Sequence, residues 1–155
     1  MNINIGISEN KRLETANGLS TLLADSYTMY LKTHNYHWNV SGPMFTTLHE
    51  LFEDQYTHLA SSVDEIAERI RILGQRAPGS YREFSELTSI KDDIRVPGAQ
   101  EMIQNLLIGH EQIVNTSKGI LPTLEGGSDE GTLSLLSSRI EYHEKTAWVL
   151  RSMLD

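Results

Sequence analysis

Residues 45–74 read FTTLHELFEDQYTHLASSVDEIAERIRILG, and this stretch decides the architecture. Its apolar residues Phe45, Leu48, Phe52, Tyr56, Leu59, Val63, Ile66 and Ile70 recur at steps of three and four, the spacing that lays one stripe along an α-helix. Gly74 follows them, a suitable residue to cap such a helix. With His49 set at zero on a wheel of roughly 100° per residue, the apolar stripe spans about 260–340°. Glu53, Asp64 and Glu68 then fall near 40°, 60° and 100° (all about, from the same period). Four residues able to ligate a metal share a stripe beside the core stripe. Glu50, Asp54 and Glu65 lie farther round, at about 100–160°. Imidazole with carboxylate suits iron, and carboxylates alone suit harder cations. A solvated acidic face with His49 as a hydrogen-bonded core residue fits the same spacing, and the stripe alone does not choose.

Distance along the helix is more informative. Glu53 and Asp64 are separated by about 16 Å at 1.5 Å per residue, so one chain cannot bring both ends of the stripe to one metal centre. A second copy, antiparallel across a two-fold axis near His58 and Leu59, would set His49 and Glu53 of one chain against the equivalents of Asp64 and Glu68. Such an interface is isologous and creates two equal sites. An intrachain di-iron centre of the usual kind needs Glu-x-x-His on two helices, and no Glu in this sequence has His three residues later.

Outward from this segment, helical spacing continues. The preceding one carries Leu13, Ala16, Leu19, Leu23, Tyr27, Tyr30, His34 and His37 with Trp38. A later one carries Met102, Ile103, Leu106, Leu107, His110, Ile113, Val114 and Ile120, with Pro122 set to end or kink it. The last carries Leu133, Leu136, Ile140, His143, Ala147, Leu150 and Leu154. Breaks fall at Val40–Pro43, Gly74–Gly79, Val96–Gly98 and Glu125–Ser128. Short connections at the first and third breaks imply antiparallel neighbours, whereas the connection after Gly74 is long and has room for a short helix over Tyr81–Leu87. An all-α fold follows: a ferritin-like four-helix bundle with that extra helix in the crossover between the second and third long helices. One domain over 1–155 is expected, with a short N-terminal tail at about 1–8.

Composition narrows the function. Thirteen Lys and Arg against 21 Asp and Glu give a net charge of -8 among 155 residues, which disfavours a generic nucleic-acid binder. The absence of cysteine excludes disulfide scaffolds, thiolate metal sites and Cys nucleophiles. The N-terminus has neither the basic region nor the apolar run of a signal peptide, and no stretch is long enough to span a bilayer. A cytoplasmic protein is expected.

The run His37-Trp38-Asn39-Val40-Ser41-Gly42-Pro43-Met44-Phe45, then Leu48-His49-Glu50 and Asp64-Glu65-Ile66-Ala67-Glu68-Arg69, resembles the Dps family, the mini-ferritins first described as DNA-binding proteins from starved cells. Ala77-Pro78-Gly79 and His143-Glu144-Lys145-Thr146-Ala147-Trp148 resemble it too, so the match covers nearly the whole chain. The resemblance implies a hollow dodecamer with ferroxidase sites at two-fold interfaces. Iron(II) is oxidised there by hydrogen peroxide or oxygen and stored as ferric mineral, which protects against oxidative damage. Carried over, His37, His49 and Glu53 come from one subunit and Asp64 and Glu68 from the other. Position 53 departs from the commonest pattern, which has Asp. Trp38 matches a family tryptophan beside the site, an electron donor that limits radical escape; core packing is its alternative role.

Weaker assignments follow from the same resemblance. Glu50 and Asp54 are placed toward the cavity as mineral nucleation residues, with a solvated acidic face as the alternative. Asp129 and Glu130, opening the last helix, are placed at an acidic three-fold entry pore, although carboxylates at a helix N-terminus are favourable in themselves. His34, His58, His110 and His143 receive no metal role. Nucleoid binding, the alternative function, lacks its usual means: residues 1–12 contain only Lys11 and Arg12, too few cations to release counterions from DNA.

Overall fold

The first helix, α1 (Glu9–Asn39), starts at Ser8, whose hydroxyl accepts from the Lys11 N–H and so satisfies one of the orphan donors of the first turn. In the computed structural model, which describes residues 2–155, it is followed by α2 (Phe45–Ile72), α3 (Tyr81–Leu87), α4 (Ala99–Ile120), a 3₁₀ turn (Leu121–Leu124) and α5 (Glu130–Ser152). The architecture is the all-α bundle expected, and α3 sits in the long crossover between α2 and α4 over the residues expected.

Punctuation works as the sequence suggests. Gly74 has φ +90°, the left-handed backbone that only glycine adopts without penalty. The Gly74 N–H donates to the Arg71 carbonyl and the Gln75 N–H to the Ile70 carbonyl, the paired closure of a Schellman motif. Pro122 ends α4 in the 3₁₀ turn. Ser80 caps α3, and Glu83 reaches back to the Gly79 N–H and the Ser80 hydroxyl. The Arg76 guanidinium, ahead of these two donors, holds the Glu83 carboxyl down to about 2.

α1 packs along α2, α4 along α5, and α1 also faces α4 while α3 covers one side of α1. Leu19, Leu22, Leu23, Met29 and Tyr36 of α1 are buried with Leu48, Phe52, Leu59, Ile66 and Ile70 of α2, Leu106 and Ile113 of α4, and Leu136 and Leu150 of α5. α1 and α4 come close where Gly109 faces Met29; a Cβ on Gly109 would collide with the thioether. Leu13 and Leu133 belong to the apolar stripes yet are 46% exposed. No helix among the described residues is long and apolar enough to cross a membrane.

A polar layer crosses the bundle. Asp25 of α1 is fully buried, and its carboxylate accepts from the Thr88 and Ser89 hydroxyls, the Ser89 N–H and the Thr116 hydroxyl. It ties the crossover and α4 to α1. Elsewhere His110 of α4 and His143 of α5 are buried with Nδ1 atoms 2.7 Å apart, so one ring donates and the other accepts.

Burial, with His58 adding to it, pushes His110 down to about 3, and burial holds His143 well below its ordinary value, reinforced by His110, Arg139 and His58. Both stay neutral in the fold at a pH where the unfolded chain, titrating near 6.5, takes up protons. Their stabilisation is therefore complete above about pH 6.5 and declines as pH falls, by roughly 1.4 kcal/mol per unit for each ring. Denaturant midpoints at pH 7 and pH 5 should differ accordingly, and a His110→Asn, His143→Phe variant should flatten the difference. An equally steep profile in that variant would contradict the assignment.

Candidate metal centre

The hairpin between α1 and α2 brings two histidines twelve residues apart face to face. The His37 and His49 rings stack with centroids 3.8 Å apart and planes 14° from parallel. His37 Nδ1 lies 2.7 Å from the His49 carbonyl oxygen, and His49 Nδ1 lies 2.8 Å from the His37 carbonyl oxygen. A carbonyl oxygen only accepts, so each Nδ1 carries the proton. Each Nε2 is left with its lone pair free. An imidazole fixed in orientation and tautomer by a backbone acceptor is the usual state of a metal-ligating histidine. His37 is 8% exposed and His49 is half-buried.

Glu53 stands one turn beyond His49 on α2, the spacing that makes side chains neighbours, and it is exposed. Asp64 and Glu68 are likewise one turn apart and exposed, three turns farther along. Glu53, Asp64 and Glu68 make no ion pair among the described residues. No group of three or more His, Asp or Glu able to hold a metal gathers within one chain among those residues. The chain thus carries two imidazoles with a carboxylate at one end of α2 and two carboxylates at the other. Glu50 and Asp54 are exposed on the adjoining stripe.

Aromatic residues surround the histidine end. Tyr56 meets the His37 ring edge-on at 5.1 Å and stacks on His34 at 4.2 Å, and His34 lies 3.9 Å from Trp38. Phe45 stacks on His49 at 5.0 Å. Lost hydration holds the Tyr56 phenol above its ordinary value, with the Glu53 carboxylate and Tyr30 adding to it. Burial, then His37, keeps His34 below its own. Trp38 is 58% exposed, so packing in the core of its own subunit is not its role.

Asp129 departs from the pore expectation. It is 6% exposed, its Oδ1 accepts from Arg69 Nη2 at 2.5 Å and from the Thr132 N–H, and its Oδ2 accepts from the Thr132 hydroxyl. Within the subunit it caps α5 and pairs with α2. Glu130, next to it, is exposed. Sequence reasoning missed the reciprocal histidine lock, the Asp129–Arg69 pair and the Tyr56–His34–Trp38 stack. Only the last left a signal, because His34, Trp38 and Tyr56 lie on the helical stripes close to His37 and His49.

A ferritin-like domain family matches residues 16–155 of the chain. A protein of Bacillus anthracis called DNA protection during starvation protein 2 is 36% identical over 137 residues, 88% of this chain and 94% of its own. A low temperature-induced protein of Nostoc is 40% identical over 99% of this chain and 87% of its own. Among solved structures, a Dps protein from Vibrio cholerae, described as a member of a broad superfamily of ferritin-like diiron-carboxylate proteins, superposes with a TM-score of 0.94 at 33% identity. That match covers 100% of this chain and 98% of the other.

Proposed function

The chain belongs to the Dps family of ferritin-like proteins, and from that premise we propose that it oxidises iron(II) at sites shared between subunits and stores the ferric product. The observation that carries this reading is the reciprocal lock of His37 and His49, which leaves two Nε2 lone pairs free, with Glu53 one helical turn beyond His49 along α2. In the proposed centre Asp64 and Glu68 of a two-fold-related copy complete the ligand set. The imidazoles hold iron(II) as neutral ligands through their free Nε2 atoms. The carboxylates supply hard anionic oxygens that favour iron(III) as it forms. Two iron(II) ions each give one electron to one peroxide, whose O–O bond breaks; with two protons it leaves as two waters. Oxygen is the other oxidant in this reading.

Trp38, through its contact with His34, is an electron donor near the centre. Glu50 and Asp54 face a cavity and nucleate mineral there, and Glu130 lies at an entry pore. The assembly is a hollow dodecamer acting in the cytoplasm against oxidative damage. Nucleoid binding is the competing reading, and 21 acidic against 13 basic residues oppose phosphate neutralisation; no mobility shift of duplex DNA is expected even at low salt. Anaerobic titration with iron(II), followed by peroxide or oxygen and by native mass measurement, tests the proposal. Saturable binding, rapid oxidation and a twelve-chain particle are expected. Non-saturating uptake or a particle of one or two chains would contradict it.

A further inference from the structure

His49 is held on both faces as well as at its edge. The His37 ring lies 3.8 Å away and 14° from parallel, and the Phe45 ring lies 5.0 Å away and 25° from parallel. Two rings so nearly parallel at those distances cannot share one face of an imidazole, so His49 stands between them. Phe45 is one helical turn ahead of His49 on α2, the spacing that makes side chains neighbours. The turn out of α1 delivers it there: Gly42 has φ +104°, and its carbonyl accepts from the Phe45 N–H at 3.0 Å. Phe45 is no part of the buried core, whose aromatic residues are Tyr36, Phe52 and Phe84. Its stack on His49 lies within one chain and needs no partner subunit.

We propose that Phe45 is a positioning residue for the candidate metal centre: its ring closes the second face of His49 and keeps Nε2 aimed at the metal. The proposal rests on the reading of that centre as an iron(II) site. The Nδ1–H bond to the His37 carbonyl fixes one edge of the His49 ring and leaves rocking about the Cβ–Cγ bond open. A flat ring on each face removes that freedom before the metal arrives, so binding does not have to bear the cost of ordering the ligand. His37, only 8% exposed, is enclosed without such a wall. A second effect has the same sign. A metal drawing electron density from Nε2 leaves the imidazole partly positive, and the negative π-face of phenylalanine attracts a ring in that state more than a neutral one. Leucine has similar apolar bulk and no flat, negative face.

Assembled full-length Phe45→Leu and Phe45→Tyr proteins test this against the parent. Anaerobic titration uses iron(II), and separately cobalt(II) read by its d–d absorption, so that binding is measured without turnover. Phe45→Leu should need about tenfold more of either ion for half-saturation, the lower end of the range for partners that orient metal ligands. Its oxidation rate at saturating iron(II) should stay at the parental value, because a bound metal fixes His49 by itself. Phe45→Tyr, which keeps the face, should match the parent in both. Unchanged half-saturation in Phe45→Leu, or a loss that Phe45→Tyr does not restore, would overturn the positioning role and leave the centre in place. So would a fall in maximal rate that follows a fall in particle mass, the mark of a residue needed only for assembly. A parent that binds neither ion saturably would remove the reading of the centre and the positioning role with it.

Discussion

The His49→Ala, Asp64→Ala double variant should oxidise iron(II) no faster than buffer, a fall of roughly 100-fold or more, since loss of a supporting group alone weakens such sites by 10–100-fold. In the proposed two-fold dimer, each substitution would remove one ligand from each of two symmetric sites. His49→Ala also frees the His37 carbonyl that its Nδ1–H occupies, and His37 loses its stacking partner at 3.8 Å. Asp64 is exposed and makes no ion pair among the described residues, so Asp64→Ala leaves the subunit fold untouched. Stopped-flow absorbance of ferric product, with the particle mass as a control for assembly, reads the effect. A parental rate in the double variant would refute the ligand assignment.

Asp25→Ala is expected to lower stability by about 3 kcal/mol, because buried donors left without an acceptor cost about 1–3 kcal/mol each. Three hydroxyls and the Ser89 N–H converge on this carboxylate from the crossover and α4. The thermal midpoint should fall by about 10 °C for a chain of this size. Asp25→Asn keeps the shape and one acceptor, and the serine and threonine hydroxyls can turn to accept from its amide, so it should lose much less. Equal midpoints for parent and Asp25→Ala, by scanning calorimetry at one protein concentration, would contradict the role.

The two stripes on α2 were legible because a helical period converts residue number into direction. The same arithmetic separated Glu53 from Asp64 and is the basis for proposing a centre shared between chains. Gly74 and Pro122 were legible because each has a backbone property that few contexts accept. What escaped was everything set by how one helix meets another. The histidine lock depends on the angle of the α1–α2 hairpin, which carries Nδ1 of each ring to a carbonyl twelve residues away. Asp25 lies within Leu22-Leu23-Ala24-Asp25-Ser26, and its place on the buried side is set by the crossover that folds over it. Asp129 resembled an exposed helix-opening carboxylate until Arg69, from a helix sixty residues earlier, closed over it.

The central claim is that each metal centre needs two chains, and mixed assembly tests it most directly. Subunits carrying only His49→Ala and subunits carrying only Asp64→Ala, co-expressed with different tags and purified through both, would each be inactive alone. In a two-fold pair of one of each kind, one site loses both residues and the other keeps every ligand. Random pairing should therefore restore about a quarter of the sites, and with them a similar share of the parental oxidation rate. A mixed particle as inactive as either variant by itself would place the whole ligand set within one chain and contradict the account.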